Sequence, residues 1–515
     1  MSKHDSATTD ARLYPQRPVP AWAALALSCL LAGTAAAAGQ GTTDGSFGGG
    51  FVISDFHGGT DEAYALAPLR DGRLLAAGAV TGPNAQGSGS SLNATVVRYL
   101  PDGRVDGSFG TAGRFEFDLG GQSDEIRALK VLPDGRILAV GSLTPKNDAY
   151  AQLALFRLNR NGQLDTTFGA ADGQGGRRGY TLLDLNGPGR HDVGMAVALQ
   201  ASGKIVVGAT TTVPVGNFSY QRVAVVRYSA DGQLDTAFGE PDGAGGHKGW
   251  RVLPSFYTSD DAADYLSGFA LSQSGALGPD GQPTDDRITV VGYTFGRASA
   301  FIGRLTADGD IDTTLSSLDP VSGVSRSGQV RLVDGLSNGR RTGLSRIAAA
   351  RWSSAGRLLV AGSGGDRGMS VMRFLANGSL DTSFAAAGSA TSVPGRVTLK
   401  FSDISNYDEA NALALQGNGK ILVAGFATVG AYKDFFLGRL TADGLPDTAY
   451  GDGQGRAVVA TGAQDDQAYA LEVEPSGNVI AGGYADFATT KHDFALTRLI
   501  GDPDRLFFDD VEVHF

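Results

Sequence analysis

Short apolar runs separated by turn residues recur along this chain, and the stretch from Asn411 to Gly451 shows the unit plainly. Ala412–Leu415 is apolar. Asn418-Gly419 follows, a dipeptide that tolerates the positive φ of a tight hairpin turn. Lys420–Gly425 (KILVAG) is a near-continuous apolar run, and Phe435–Leu440 (FFLGRL) is another, separated by a variable loop. A turn at Ala442-Asp443-Gly444 and the closing motif LPDTAYG end the unit. Continuous apolar runs of strand length predict strands buried on both faces. No segment sustains a 3.6-residue apolar period, so the chain reads as all-β.

Markers count the repeats. An arginine ends the last apolar run of each copy: Arg98, Arg157, Arg227, Arg304, Arg373, Arg439 and Arg498. In the first six copies a glycine follows five residues later and an aspartate eight residues later: Asp106, Asp165, Asp235, Asp312, Asp381 and Asp447. That aspartate opens an Asp-x-x-Phe-Gly motif, clear at Asp106, Asp165 and Asp235 and decayed in the later copies. One further copy, DGSFG at Asp44, opens the array, and after Arg498 the pattern stops. Seven copies at about 67 residues each fit a four-strand unit better than a helix pair. The expected fold is a seven-bladed β-propeller of four-stranded repeats, because radial repetition buries each blade between its neighbours. The alternative is a β-solenoid, whose coils are usually shorter. Ring closure has two candidates: the strand near Phe51–Phe56, or the alternating C-terminal tail Leu506–Phe515.

The same markers carry a resemblance. A DGKILVAG-like strand, an RL-x-x-DG turn and an LDxxFG closing motif occur in fixed order in LPDGRILAVG (132–141), FRLNRNGQLDTTFG (156–169) and VRYSADGQLDTAFG (226–239). This combination resembles the delta-60 repeat family of bacterial proteins. The resemblance implies a propeller-like, exported or surface-associated repeat protein, and it supplies no catalytic residues. Repeat four, with no Phe-Gly and an insertion at 276–286, and repeat five, with Ala355-Gly356 in its turn, depart from the pattern.

Met1–Pro20 is mostly polar, Ala21–Gly33 is apolar but too short to span a bilayer comfortably, and small residues follow to Gly39. This predicts a signal peptide over residues 1–38 and a single propeller domain over 39–515, secreted or periplasmic and not transmembrane after cleavage. A lipoprotein reading would use Cys29, but Ala26 and Leu27 fit that motif poorly. Cys29 is the single cysteine, so the mature chain has neither disulfides nor thiolate ligands. The net charge of −11, without a basic stripe, argues against nucleic acid.

Candidate chemistry is sparse. The Arg/Asp pairs repeat in six copies, as a structural clamp would, whereas a catalytic site needs one constellation. Counting back eleven residues from each hairpin glycine gives Asp61, Asp124, Asp192, Asp264, Ser345, Asp408 and Asp466. These six aspartates precede the strand expected to line the channel. They could hold Ca²⁺ as an acidic ring, or accept backbone amides that fix a loop. The absence of a calcium-loop spacing favours loop fixing. Asp308–Asp312 and Gly451–Gly455 read as turns, without the glutamate or spacing of an EF-hand. The six histidines show no zinc spacing, and no P-loop or G-x-G-x-x-G is present. One G-x-S-x-G match, Gly335 to Gly339, lies in an irregular stretch with no helix pattern after it. Variable loops before the arginine strands carry Tyr150, Phe218, Tyr220, Phe295, Tyr432 and Phe487, candidates for a surface that binds a protein or glycan. The expected role is a binding or scaffold module at the cell surface or in the periplasm, more readily than an enzyme. The alternative is a propeller-type hydrolase or lyase with a channel metal on the acidic ring.

Overall fold

The computed structural model describes residues 39–502, except 85–89, 122, 258–261, 273–285, 298, 319–324, 334–335, 338–339, 342, 365, 387–391, 402–406 and 463. The segment 1–38, most of the insertion 276–286 and the tail 506–515 therefore lie outside the described residues.

Seven antiparallel sheets carry the repeats. Blade 1 runs Asp61–Pro68, Leu74–Pro83, Ser90–Tyr99, Arg114–Phe117, in that spatial order. The first strands of blades 2 to 7 begin at Glu125, Asp192, Asp264, Arg346, Asp408 and Asp466. Each first strand touches those of the two adjacent blades, and the circle closes from blade 7 back to blade 1. The fold is a seven-bladed β-propeller, and the first strands surround its axis.

The core shows why the apolar runs are continuous. Among the described residues it divides into seven clusters, one between each pair of neighbouring blades. Successive residues of KILVAG point to opposite sides: Ile421 and Val423 pack toward blade 5, Leu422 and Ala424 toward blade 7. A strand between two neighbours has no wet face, so the period-two alternation disappears.

The arginine of each repeat joins blades. Arg157 Nε donates to Asp165 Oδ2 at 2.7 Å, Nη2 to Thr167 Oγ1 at 2.9 Å, and Nη1 to the Ala230 carbonyl of the next blade at 2.7 Å. Phe168 of the closing motif lies beneath the guanidinium, 4.5 Å from its carbon. The Gly169 amide donates to the Asp231 carbonyl of the next blade at 2.9 Å. The marker glycine of that next turn, Gly232, has φ +82°, and a Cβ there would lie 2.6 Å from the Phe168 ring. The clamp expected from the Arg/Asp spacing is thus one part of a larger staple.

The ring closes through the N-terminal strand. Phe51–Ser54 pairs antiparallel with Lys491–Leu499 as the outermost strand of blade 7. The Asp44 motif supplies the closing motif that blade 7 lacks. Arg498 donates to Asp44 Oδ2 and to Ser46 Oγ, each at 2.9 Å, and its guanidinium stands over Phe47 at 4.9 Å.

Every first strand also carries a β-bulge at one position, three residues after the ring aspartate or, in blade 5, after Ser345. The register skips Tyr64, Arg127, Met195, Ser267, Ala348, Asn411 and Tyr469. The bulge explains the last glycine of KILVAG. A Cβ on Gly425 would lie 1.8 Å from the Glu409 carbonyl oxygen, and backbone cannot move aside cheaply. Gly425→Ala is expected to destabilise the domain by about 1–3 kcal/mol. A urea melt checks this; an unchanged midpoint would mean the bulge relaxes freely.

Candidate functional site around the channel

Antiparallel pairing fixes the two ends of the propeller. Asp61, at the start of its strand, pairs with Val80, near the end of the second strand. The ring aspartates therefore share one end with the hairpins between second and third strands, and the arginine staples occupy the other end.

The six aspartates are buried, each in its own blade. Asp61 accepts the amides of Phe56 (2.8 Å) and Thr81 (3.1 Å). Asp124 accepts those of Leu119 (2.6 Å) and Thr144 (2.7 Å). Asp192 accepts Leu185 N and Thr211 Oγ1, Asp264 accepts Phe256 N and Thr294 Oγ1, Asp408 accepts Phe401 N, and Asp466 accepts Thr461 N and Oγ1. Each carboxylate thus ties the loop entering its blade to its own strand. Ser345, in the seventh place, bonds to the Ser363 carbonyl instead. Burial pushes Asp61, Asp124 and Asp466 up to about 7 against the pull of these amides. The structure does not gather the six into one ligand set. Among the described residues only Asp61 belongs to a cluster of three or more potential metal ligands, with Asp55 and Asp493.

The other acidic turns are held by arginines. Asp308 pairs with Arg227 at 3.1 Å, Asp310 with Arg251 at 2.9 Å, and Asp452 with Arg456 at 2.8 Å. Ser337 lies in a two-residue strand paired with Arg340–Arg341, not on a strand-to-helix turn, while Gly335 and Gly339 lie outside the described residues.

The loop aromatics stand on the hairpin end, distributed over blades 2, 3, 4, 6 and 7. Phe218 and Phe295 are 68% exposed, Tyr432 48% and Tyr150 38%. Tyr150 leans on His191, Tyr220 lies beside Phe218, and Phe295 sits edge-on to Tyr265. Phe487 is partly buried against the core between blades 6 and 7. They form a rim, not one patch.

A tighter constellation lies inside that rim, on the innermost strands of blades 7, 1 and 2. Tyr469 and Tyr64, both bulge residues, have ring centroids 5.6 Å apart. Arg127, the bulge residue of blade 2, stands 3.9 Å over the Tyr64 ring and donates to Glu125 at 2.6 Å. Tyr64 Oη donates to Glu62 Oε2 at 2.7 Å, and Glu62 also meets His492. The His492 ring stacks on Tyr484 at 3.9 Å. Burial raises the phenols of Tyr64 and Tyr469, and pushes Tyr484 up to about 12, so all three remain proton donors. Despite the cost of its burial, Glu125 holds the Arg127 guanidinium above its ordinary value. The arrangement gathers two phenols, a guanidinium and two carboxylates, side-chain types suited to holding a hydroxyl-rich ring. The repeat markers do not include these positions. Counting three residues on from each ring aspartate finds them, and shows that the residue type there changes from blade to blade.

Five segments of the chain, residues 69–109, 132–168, 200–238, 356–384 and 416–450, match the model of a family described as domain of unknown function (DUF5122) beta-propeller. They fall in blades 1, 2, 3, 5 and 6. Blade 4 has Leu315 in place of the motif phenylalanine, and blade 7 takes its closing motif from the other end of the chain. No curated protein sequence matches. Several solved structures align over most of the chain. An α-L-arabinanase of Penicillium chrysogenum complexed with arabinobiose is 13% identical (TM-score 0.43; 91% of this chain, 99% of that chain). The polysaccharide lyase Uly1 is 11% identical (0.43; 85% and 90%), and Drosophila Semaphorin 2a is 7% identical (0.43; 90% and 76%). Likeness of this degree says nothing of chemistry. Among the described residues no helix is long and apolar enough to cross a membrane. The chain carries β-propeller repeats similar to those of the matched family.

Proposed function

We propose that this chain is an exported binding module, secreted or periplasmic, of the delta-60 repeat type, which takes a glycan at the hairpin end of its channel. The observation that supports it is the asymmetry of the bulge position. A residue kept for structure repeats, as the arginine staple does. At the bulge the backbone geometry repeats seven times while the side chains differ, and the two tyrosines and the arginine are adjacent. Bulges re-aim side chains near binding sites, and the exposed rim aromatics extend the surface outward. A signal-peptide pattern over residues 1–38 supports export.

A glycan array followed by calorimetry on the best ligand tests this. Tyr469→Ala is expected to weaken binding at least about tenfold, or about 1.4 kcal/mol, with an unchanged melting temperature. Arg127→Ala should weaken binding likewise, with a lower melting temperature because Glu125 loses its partner. No glycan binding at millimolar concentration would overturn the reading. Binding lost in Phe218→Ala with Phe295→Ala, but kept in Tyr469→Ala, would move the site to the rim.

A further inference from the structure

We propose that Asp55, Asp61 and Asp493 form a calcium site that locks the seam of the ring. The three come from the segment after the closing strand, the first strand of blade 1 and the third strand of blade 7. Each offers a carboxylate oxygen, and these oxygens lie within 4.8 Å of one another. A calcium shell with bonds of about 2.3–2.6 Å spans that distance. Two of the three are buried, and among the described residues none pairs with lysine or arginine.

The unfilled valence is on Asp493. It is 3% exposed, its Oδ2 accepts from Thr490 at 2.7 Å, and its Oδ1 is buried with no hydrogen-bond partner. A buried carboxylate oxygen without a donor is costly, and more so beside two further carboxylates. The neighbouring junction holds two acids where the seam holds three. Asp118 and Asp124, between blades 1 and 2, have the six-residue spacing of Asp55 and Asp61. There the residue five before the arginine is Asn93, where the seam has Asp493. Asn93 donates to Glu116 at 2.8 Å, and Ser91 reaches Asp118 at 3.5 Å. The seam thus places a third carboxylate where its neighbour has an amide, and a cation would meet the charge of all three. Oxygen-only ligands of this kind select a hard divalent cation. Asp55 is exposed and gives the ion an entry path. This set shares only Asp61 with the ring considered from the sequence, and it is independent of the glycan reading.

Calorimetric titration of CaCl₂ into EDTA-stripped, dialysed protein tests the site, alongside melting curves and hydrogen exchange. One calcium per chain is expected, with a higher melting temperature and slower exchange in Phe51–Ser54. Asp493→Asn should abolish binding. Asp55→Asn, at an exposed position and with the oxygen that accepts the Gly58 amide retained, should weaken it at least tenfold. Asp466→Asn, in the corresponding ring position between blades 6 and 7, should leave it intact. No heat and no melting shift up to about 10 mM calcium, above the range of weak extracellular sites, would overturn the proposal. So would binding of parental strength in Asp55→Asn, or binding lost in Asp466→Asn but kept in Asp493→Asn.

Discussion

A chain that begins at Asp61 is expected to lose cooperative folding and to associate. The truncation removes the strand Phe51–Ser54, so Lys491–Leu499 becomes an open edge bearing Phe494 and Leu496. An unpaired apolar edge is a template for pairing with another chain. It also removes Asp44 and Ser46 from Arg498, leaving that buried guanidinium with the Pro101 carbonyl at 2.9 Å and Glu474 at 3.7 Å. Phe47, 1% exposed, is lost from the core between blades 7 and 1. Phe→Ala at such a site alone costs about 3–5 kcal/mol, a large part of the roughly 5–15 kcal/mol that holds a typical domain. Size-exclusion chromatography and near-UV circular dichroism report the outcome. A synthetic peptide of residues 39–60, added in excess, should restore monomeric behaviour by occupying the open edge. A truncated chain that stays monomeric and melts with the full chain would show that blades 1 to 7 close without their N-terminal strand.

That dependence was only half legible in the sequence. DGSFG at Asp44 is visibly a closing motif out of place, and seven arginines against six following aspartates leave one vacancy. Matching the vacancy to the motif requires joining residues 454 positions apart. The tail Leu506–Phe515 was an equally good strand by its alternation, and local pattern could not choose between the two. The staple was legible because it is local: Arg157 and Asp165 are eight residues apart in sequence and 2.7 Å apart in space. The partner carbonyls on the next blade were not, since backbone oxygens leave no residue signature. The bulge was hidden for a related reason. A strand buried on both faces has no alternation to break, so one extra residue leaves no mark in the apolar pattern. The Tyr64, Arg127 and Tyr469 constellation follows from that bulge and from the ring order. The seam carboxylates Asp55 and Asp493 come from opposite ends of the chain, and only closure brings them together.

Arg157→Ala is expected to cost about 3–5 kcal/mol, the range for breaking a buried ion pair by removing one partner. Arg157 and Asp165 are both buried, and the guanidinium serves three acceptors in two blades. Its loss leaves the Ala230 carbonyl unsatisfied and the Phe168 ring uncovered. Arg157→Lys should recover less than half, because one ammonium cannot reach Asp165, Thr167 and Ala230 in the fork geometry of arginine. The acid side provides a check that a simple packing defect would fail. Burial would raise Asp165, but Thr167, Arg136 and Arg157 together hold it at about 2. A carboxylate held below its unfolded value stabilises the fold above that unfolded value, near 3.8, and the contribution fades as pH falls toward 2. The deficit of Arg157→Ala should therefore be full at pH 5 to 7 and narrow as the pH falls from about 4 to about 2. Denaturant midpoints for parent and variant across that range measure it. A deficit that stays constant with pH would assign the loss to the Phe168 contact and the blade-to-blade carbonyl, and a variant that melts with the parent would mean that the other staples carry the ring without this one.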